Sequence, residues 1–160
     1  MKDTLTLHHL LLESGTDHKI IRLPRTISAA DQLPDVLLLP HGRCLVVRFY
    51  EADDVLTAFV VRANQVPPTW MLRSATGGQR IRAAPGETVS SVTGYAASLA
   101  APLALPDSLP VFADEALWAD LDGDTIVYTS TGESGTALGI RLLDLSAHWT
   151  AKPAALRKRQ

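Results

Sequence analysis

Two runs of residues, Cys44–Tyr50 and Val55–Arg62, are rich in β-branched and aromatic side chains and are separated only by Glu51-Ala52-Asp53-Asp54. A polar turn between two such runs predicts a β-hairpin. Both arms are apolar at nearly every position rather than at alternate ones, so each needs cover on both faces. That requirement limits the fold. The hairpin belongs in the middle of a sheet, and the rest of the chain must supply layers for both of its sides.

The flanking sequence supplies short helices and strands in alternation. Leu5, His8, His9 and Leu12 recur at helical spacing over residues 3–14, and Leu7 pairs with Leu11. Asp3 or Thr4 can cap that helix and Gly15 can end it. Strands are predicted at His18–Leu23, Gln79–Ala83 (with Arg80 and Arg82 on one face), Val111–Ala113, Thr125–Ser130 and Thr136–Leu142. Short helices are predicted at Ala29–Leu33 with Ser28 as cap, from Pro67-Pro68 to Ala75, from Pro85 to Gly94, at Glu115–Trp118 with Asp114 as cap, and at Leu143–Trp149. This interleaving predicts an α/β (α+β) class. The expected architecture is a single domain over residues 1–160, its core at about 10–150. It has a mixed, largely antiparallel curved sheet surrounded by short helices, and a basic tail at 151–160.

Residues 93–114 hold the longest connection without an evident element of its own, ending in the short Val111–Ala113 strand. It opens on Thr93-Gly94-Tyr95, runs through small residues, and carries Pro102, Pro106 and Pro110. The prolines fix φ and remove donors. Long loops inside small domains are commonly functional, and this one is too apolar for disorder, with Asp107 its one charge before Asp114. A buried connection crossing the core is the alternative.

Composition excludes several classes. The net charge is −2, so any nucleic-acid contact must be local. Cys44 is the one cysteine, which excludes an internal disulfide and a cysteine-rich metal site. The five histidines lack metal-ligand spacing. Adjacent His8 and His9 point apart on a helix. Asp120-x-Asp122-Gly123-Asp124 lacks the later ligands of a calcium loop, and Gly132-Glu133-Ser134-Gly135 has the spacing of neither a nucleophile elbow nor a phosphate-binding loop. No metal or cofactor is expected. No apolar run is long enough for a membrane helix, and Asp3, His8 and His9 stand where a signal peptide would be apolar. A cytoplasmic location is expected, with neither membrane nor DNA as partner.

Several segments, in order, resemble the YbaK/prolyl-tRNA-synthetase-associated domain family of aminoacyl-tRNA editing domains. Val92-Thr-Gly-Tyr95, the small-residue loop to Pro102, and Leu109-Pro-Val-Phe-Ala-Asp-Glu-Ala-Leu117 are similar to that family's "LTGY…G-x-x-x-P-F…LPVFVDEAL" run. Gly42-Arg-Cys-Leu-Val-Val-Arg48 resembles its "K-T-L-V-V-R" strand, Arg25–Leu33 its "R-T-A-E-D-A-A" helix, and Leu143-Asp144-Leu145 its "P-x-D-L" helix start.

The resemblance implies a free-standing trans-editing domain that hydrolyses the ester of mischarged aminoacyl-tRNA. The partner is the aminoacyl-tRNA acceptor end, with a synthetase as a further candidate. By position, Arg43 stands where the family has a strand Lys, Ser98 where it has the Gly opening G-x-x-x-P, and Pro102 at the closing Pro. His18 falls near an aromatic position. The implied catalytic set is Arg43, Ser98 and Pro102. Substrate contacts fall to His18, Gly94, Ala97, Leu99, Ala100 and Ala101, and tRNA contacts to Arg80, Arg82, Arg157, Lys158 and Arg159. A guanidinium is a planar fork rather than a point charge. The alternative is therefore a catalytically drifted relative that binds tRNA, a small ligand or a protein through the same pocket.

Overall fold

The computed structural model describes residues 1–149 and the backbone of 152–154. Its elements are α1 (Thr4–Glu13), β1 (Lys19–Arg22), α2 (Leu33–Leu37), β2 (Leu45–Ala52), β3 (Val55–Arg62), α3 (Thr69–Thr76), β4 (Ile81–Ala83), α4 (Gly86–Thr93), β5 (Val111–Asp114), α5 (Ala116–Asp120), β6 (Ile126–Ser130), β7 (Thr136–Arg141), α6 (Leu142–Ala147) and β8 (Lys152–Ala154). The predicted hairpin is central. β2 and β3 pair antiparallel from Leu45–Arg62 to Ala52–Val55, around Asp53 and Asp54. Both aspartates have positive φ, 47° and 66°. Such left-handed turns match the right-handed twist of paired strands, and Asp tolerates them better than most residues.

The two faces of the hairpin are covered by different material. Leu45, Val47, Phe49, Ala58 and Val60 pack with Leu7 and Leu11 of α1, the loop after α4, and Leu142 and Leu145 of α6. Val46, Phe59 and Val61 pack with Leu33 and Val36 of α2 and Leu72 of α3. Alternate residues of each strand thus enter opposite cores, which explains the nearly continuous apolar runs.

The strands form two sheets rather than one curved sheet. The first has the order β4-β2-β3-β5-β8 and the second β1-β7-β6. Pairing is antiparallel except for β3 with β5 and β5 with β8. The sheets are linked by a single bridge between Cys44 and Tyr128. A 3-10 turn at His41–Arg43 precedes Cys44, so no extended backbone remains there to continue pairing with β6. Strand β8 falls in what the sequence presents as a basic tail.

Two local expectations change. In α1, Asp3 caps the helix by accepting the Thr6 N–H. The buried pair, however, is Leu7 and Leu11, while Leu5 and Leu12 face solvent. Both pairs satisfy helical spacing, so periodicity alone cannot choose between them. The Ala29–Leu33 segment is a 3-10 turn at Ala30–Gln32 running into α2. Ser28 does not cap it; its N–H donates to Gln32 Oε1 instead.

The loop from Gly94 to Pro110 is anchored throughout. Tyr95 is fully buried and its hydroxyl donates to the Leu103 carbonyl at 2.7 Å. The Gly132 N–H donates to the Leu99 carbonyl at 2.8 Å, and the Trp149 indole N–H to the Pro102 carbonyl at 2.6 Å. Lys2 straps the other side: its backbone N–H donates to Gly94, and its ammonium reaches the Ala104 carbonyl and lies over the Tyr95 ring.

Gly132 admits no side chain. Its φ is +94°, and a Cβ would stand 2.4 Å from the Lys2 carbonyl oxygen and 3.0 Å from the Tyr95 ring. Gly132→Ala is expected to destabilise the protein by about 2 kcal/mol or more. A urea-unfolding midpoint unchanged from the parent would contradict this packing.

Candidate functional site

The anchored loop presents a 3-10 turn, Ala97–Leu99, at one wall of a cleft of about 370 Å³. The second wall is Ala29, Ala30 and Asp31, the third is Val46–Tyr50 of β2, and Ala83, Ala84, Gly86 and Val89 close the end. Ser98 is at the surface, with its hydroxyl donating to the Ser28 carbonyl at 2.9 Å. That bond ties the loop to the segment before α2 and commits the hydroxyl. The N–H groups of Ala97 and Ser98 have no acceptor among the described residues. Both therefore remain available as donors at the cleft.

The cation in this cleft is Arg48, the one charged residue in the first apolar run. Its two terminal nitrogens donate to Asp31 Oδ2 and Oδ1 at 2.9 and 2.8 Å, and its Nε donates to the Gln65 carbonyl at 2.7 Å. This fork-to-carboxylate geometry fixes the plane of the guanidinium. One N–H on each terminal nitrogen is left over by this arrangement. Asp31 also accepts the Asn64 N–H at 2.7 Å. Burial raises the Asp31 pKa, but the hydrogen bonds from Arg48 and Asn64 outweigh it, and the carboxyl is held below its ordinary value. Tyr50 lines the same cleft, and burial pushes its phenol pKa up, so the hydroxyl stays protonated.

The residues expected to form one site are dispersed. Arg43 is outside the cleft lining; its Nε donates to the Ile126 carbonyl at 2.8 Å, alongside β6. Pro102 is buried and lines a separate recess of about 180 Å³ with Leu10, Leu105, Val111, His148 and Trp149. Ala100 and Ala101 are buried in the core, and Leu99 is partly buried against the α2 side. Gly94 serves as the left-handed end of α4, with φ +78°. His18 lies just before β1, where its Nε2 meets His8 Nδ1 at 2.8 Å. Of the sequence-derived set, Ser98 and Ala97 are the two residues that line the cleft.

Arg80 and Arg82 lie on or beside edge strand β4 and are engaged by acids. Arg82 pairs with Glu51 at 2.8 Å and Asp54 at 3.6 Å, and Arg80 approaches Asp54 at 3.9 Å. Arg157, Lys158 and Arg159 lie outside the described residues. No group of three or more His, Cys, Asp or Glu side chains among the described residues is arranged to hold a metal. No helix of the described residues is long and apolar enough to cross a membrane. Arg48 and Asp31 fall within the family-like segments but not in the sequence-derived site set, although a lone Arg inside an apolar strand is a signal in itself, since a buried cation needs a partner.

The family model for the aminoacyl-tRNA editing domain matches residues 25–147. The chain belongs to the aminoacyl-tRNA editing domain family. Comparison with curated protein sequences gives no match. Solved structures share the fold. A candidate trans-editing enzyme for prolyl-tRNA synthetase superposes with a TM-score of 0.78 at 20% identity, covering 96% of this chain and 95% of that one. A scaffold protein used for computational grafting of linear epitopes gives 0.78 at 19% identity, covering 96% of each chain. A candidate signal-transduction protein from Marinobacter aquaeolei VT8 gives 0.60 at 18% identity, covering 93% of this chain but 30% of that one. The fold of this editing domain therefore also occurs as a minor part of a much longer chain.

The Asp31–Arg48 pair gives a pH-dependent prediction. A carboxyl whose pKa is depressed by folding stabilises the protein above its unfolded pKa of about 3.9, and the contribution is lost as pH falls through the lower folded value. Asp31→Asn is expected to lose about 1–2 kcal/mol at neutral pH, discounted for partial solvent exposure. The gap to the parent should close in denaturation curves below about pH 4. A constant gap from pH 7 to pH 3 would contradict the pairing.

Proposed function

We propose that this editing domain hydrolyses the ester of a mischarged aminoacyl-tRNA in the cleft between Ser98 and Arg48. The observation that carries the reading is that one cleft of an editing-family chain is lined both by two residues whose loop amides are unengaged and by a fixed guanidinium. Attack of water on the ester carbonyl places negative charge on the carbonyl oxygen. Fixed donors aimed at that oxygen stabilise the transition state more than the ground state. The N–H groups of Ala97 and Ser98 are the donors. Arg48 contributes its remaining N–H groups to the ester or to the terminal phosphate, and Asp31 is a positioning residue that holds its plane.

Ser98 is not a nucleophile in this scheme, because its hydroxyl is bonded to the Ser28 carbonyl. Asp31 is a poor general base, because its pKa is lowered. The attacking water passes its proton to a group the substrate brings, the neighbouring ribose hydroxyl, which hands its own proton to the leaving ester oxygen as the acyl C–O bond breaks. This agrees with a cleft that holds no histidine and no cysteine. The drift from the family's Gly to Ser98 is accommodated by turning the side chain to Ser28, which leaves the backbone amide open. The prolyl-tRNA synthetase relationship of the structural relative makes esters of amino acids handled by that synthetase the first to test, with the synthetase itself a candidate partner.

The test is deacylation of tRNAs charged with Ala, Ser, Cys or Pro. Hydrolysis of at least one is expected, with kcat/KM lowered about 100-fold in Arg48→Ala. Arg48→Lys should recover only part of the loss, because an ammonium cannot make the forked contact. No turnover of any ester, with tRNA binding intact, would replace this reading with that of a non-catalytic tRNA-binding relative.

A further inference from the structure

A second recess is larger than the Ser98 cleft. It has a volume of about 590 Å³ and lies on the second sheet, lined by His18, Lys19, Ile126, Tyr128, Gly139 and Arg141, with Asp17 at its rim and Ile140 beneath. Its floor is built around one ring. Tyr128 stands opposite Gly139 in the β6–β7 ladder, and the ring leans across onto that glycine. A Cβ at Gly139 would lie 3.1 Å from Tyr128 Cε1 and 3.4 Å from Cδ1. The missing side chain therefore lets an aromatic ring settle onto the sheet while still lining open space. Ile126, exposed beside it, extends the apolar surface.

Three cations and the carboxylate of Asp17 border this floor. Lys19 is exposed at its edge, opposite Gly139 on the other side of β7. Arg43 comes alongside through its Nε bond to the Ile126 carbonyl, and its terminal nitrogens have no partner among the described residues. Arg141 is held by Asp144 and Asp124 and is still partly exposed. An aromatic platform flanked by Lys19 and Arg43, neither paired with a carboxylate among the described residues, fits an unpaired nucleotide: the base stacks and the flanking phosphates meet the charges. A concave recess on a sheet accepts a splayed-out base and not a duplex.

Resting on the tRNA-editing reading, the geometry points to the Tyr128 recess as the site that holds an unpaired nucleotide of the tRNA acceptor end. Tyr128 is the stacking platform, and Lys19 and Arg43 are the phosphate contacts. The proposal gives Arg43, which stands outside the hydrolytic cleft, a role in holding tRNA. It also moves the main tRNA contact away from Arg80 and Arg82, whose charges are engaged by Glu51 and Asp54.

The test is anisotropy-detected binding of uncharged tRNA to the full chain, with wild-type deacylation of charged tRNA measured in the same preparations. Tyr128→Leu should weaken binding about five- to hundred-fold, and Tyr128→Phe should restore it, because the ring and not the hydroxyl stacks. Lys19→Ala, an exposed change that leaves the sheet intact, should lower the slope of log affinity against log salt by about 0.7–0.9. If Tyr128→Leu keeps the parent's circular dichroism and binds tRNA as tightly as the parent, the platform is wrong while the editing reading stands. If the wild type neither binds tRNA nor deacylates it, both fall together.

Discussion

The bond from the buried Tyr95 hydroxyl to the Leu103 carbonyl organises the loop that walls the Ser98 cleft. A Pro-containing loop has few internal hydrogen bonds and would otherwise sample many courses. Tyr95 is large, completely buried and polar only at its tip, so it fixes the loop laterally through packing and lengthwise through one donor. Burial pushes its phenol pKa up, so that donor persists across the working pH range. The remaining anchors act on the same segment: Lys2 at Gly94 and Ala104, Gly132 at Leu99, and Trp149 at Pro102. Between these fixed points lies the Ala97–Leu99 turn, whose Ala97 and Ser98 line the cleft and whose amides have no acceptor among the described residues.

The loop is thus both a buried connection and one wall of the cleft. Its second half, from Ala100 to Leu109, contributes Ala100, Ala101, Leu103 and Leu109 to the core. Its first half meets Ser28 and Arg48's cleft. Ala100 and Ala101 are buried in that core rather than lining the Ser98 cleft. The same economy appears at Arg48. One guanidinium joins β2, the turn before α2 and the segment after β3, because Asp31 and the Gln65 carbonyl both accept from it. It rigidifies the cleft while leaving donors to spare.

Much of this was legible in the chain itself. The hairpin at Asp53-Asp54, the ends of α3 and α4 at Gly77 and Gly94, and the β6–β7 hairpin all follow from local chemistry: branched strands, turn residues and left-handed glycines. What was hidden depends on partners far apart in sequence. The division into two sheets hinges on the turn at His41–Arg43, and β8 exists only because the edge of β5 is there to receive it. In α1, Leu5 with Leu12 and Leu7 with Leu11 are equivalent by spacing, and only the sheet below decides between them. The site suffered in the same way. Matching by order in the chain pointed to Arg43, whereas the cation beside Ser98 is Arg48, on the following strand residues.

The most direct measurement of the central claim is amide hydrogen exchange with a hydrolysis-resistant 3′-aminoacylamino-adenosine added to the protein. The account predicts slowed exchange at Ala97 and Ser98, the two amides without an internal acceptor, with little change around Pro102–Asp107. Slowed exchange confined to the Pro102–Asp107 recess, with Ala97 and Ser98 unchanged, would contradict it.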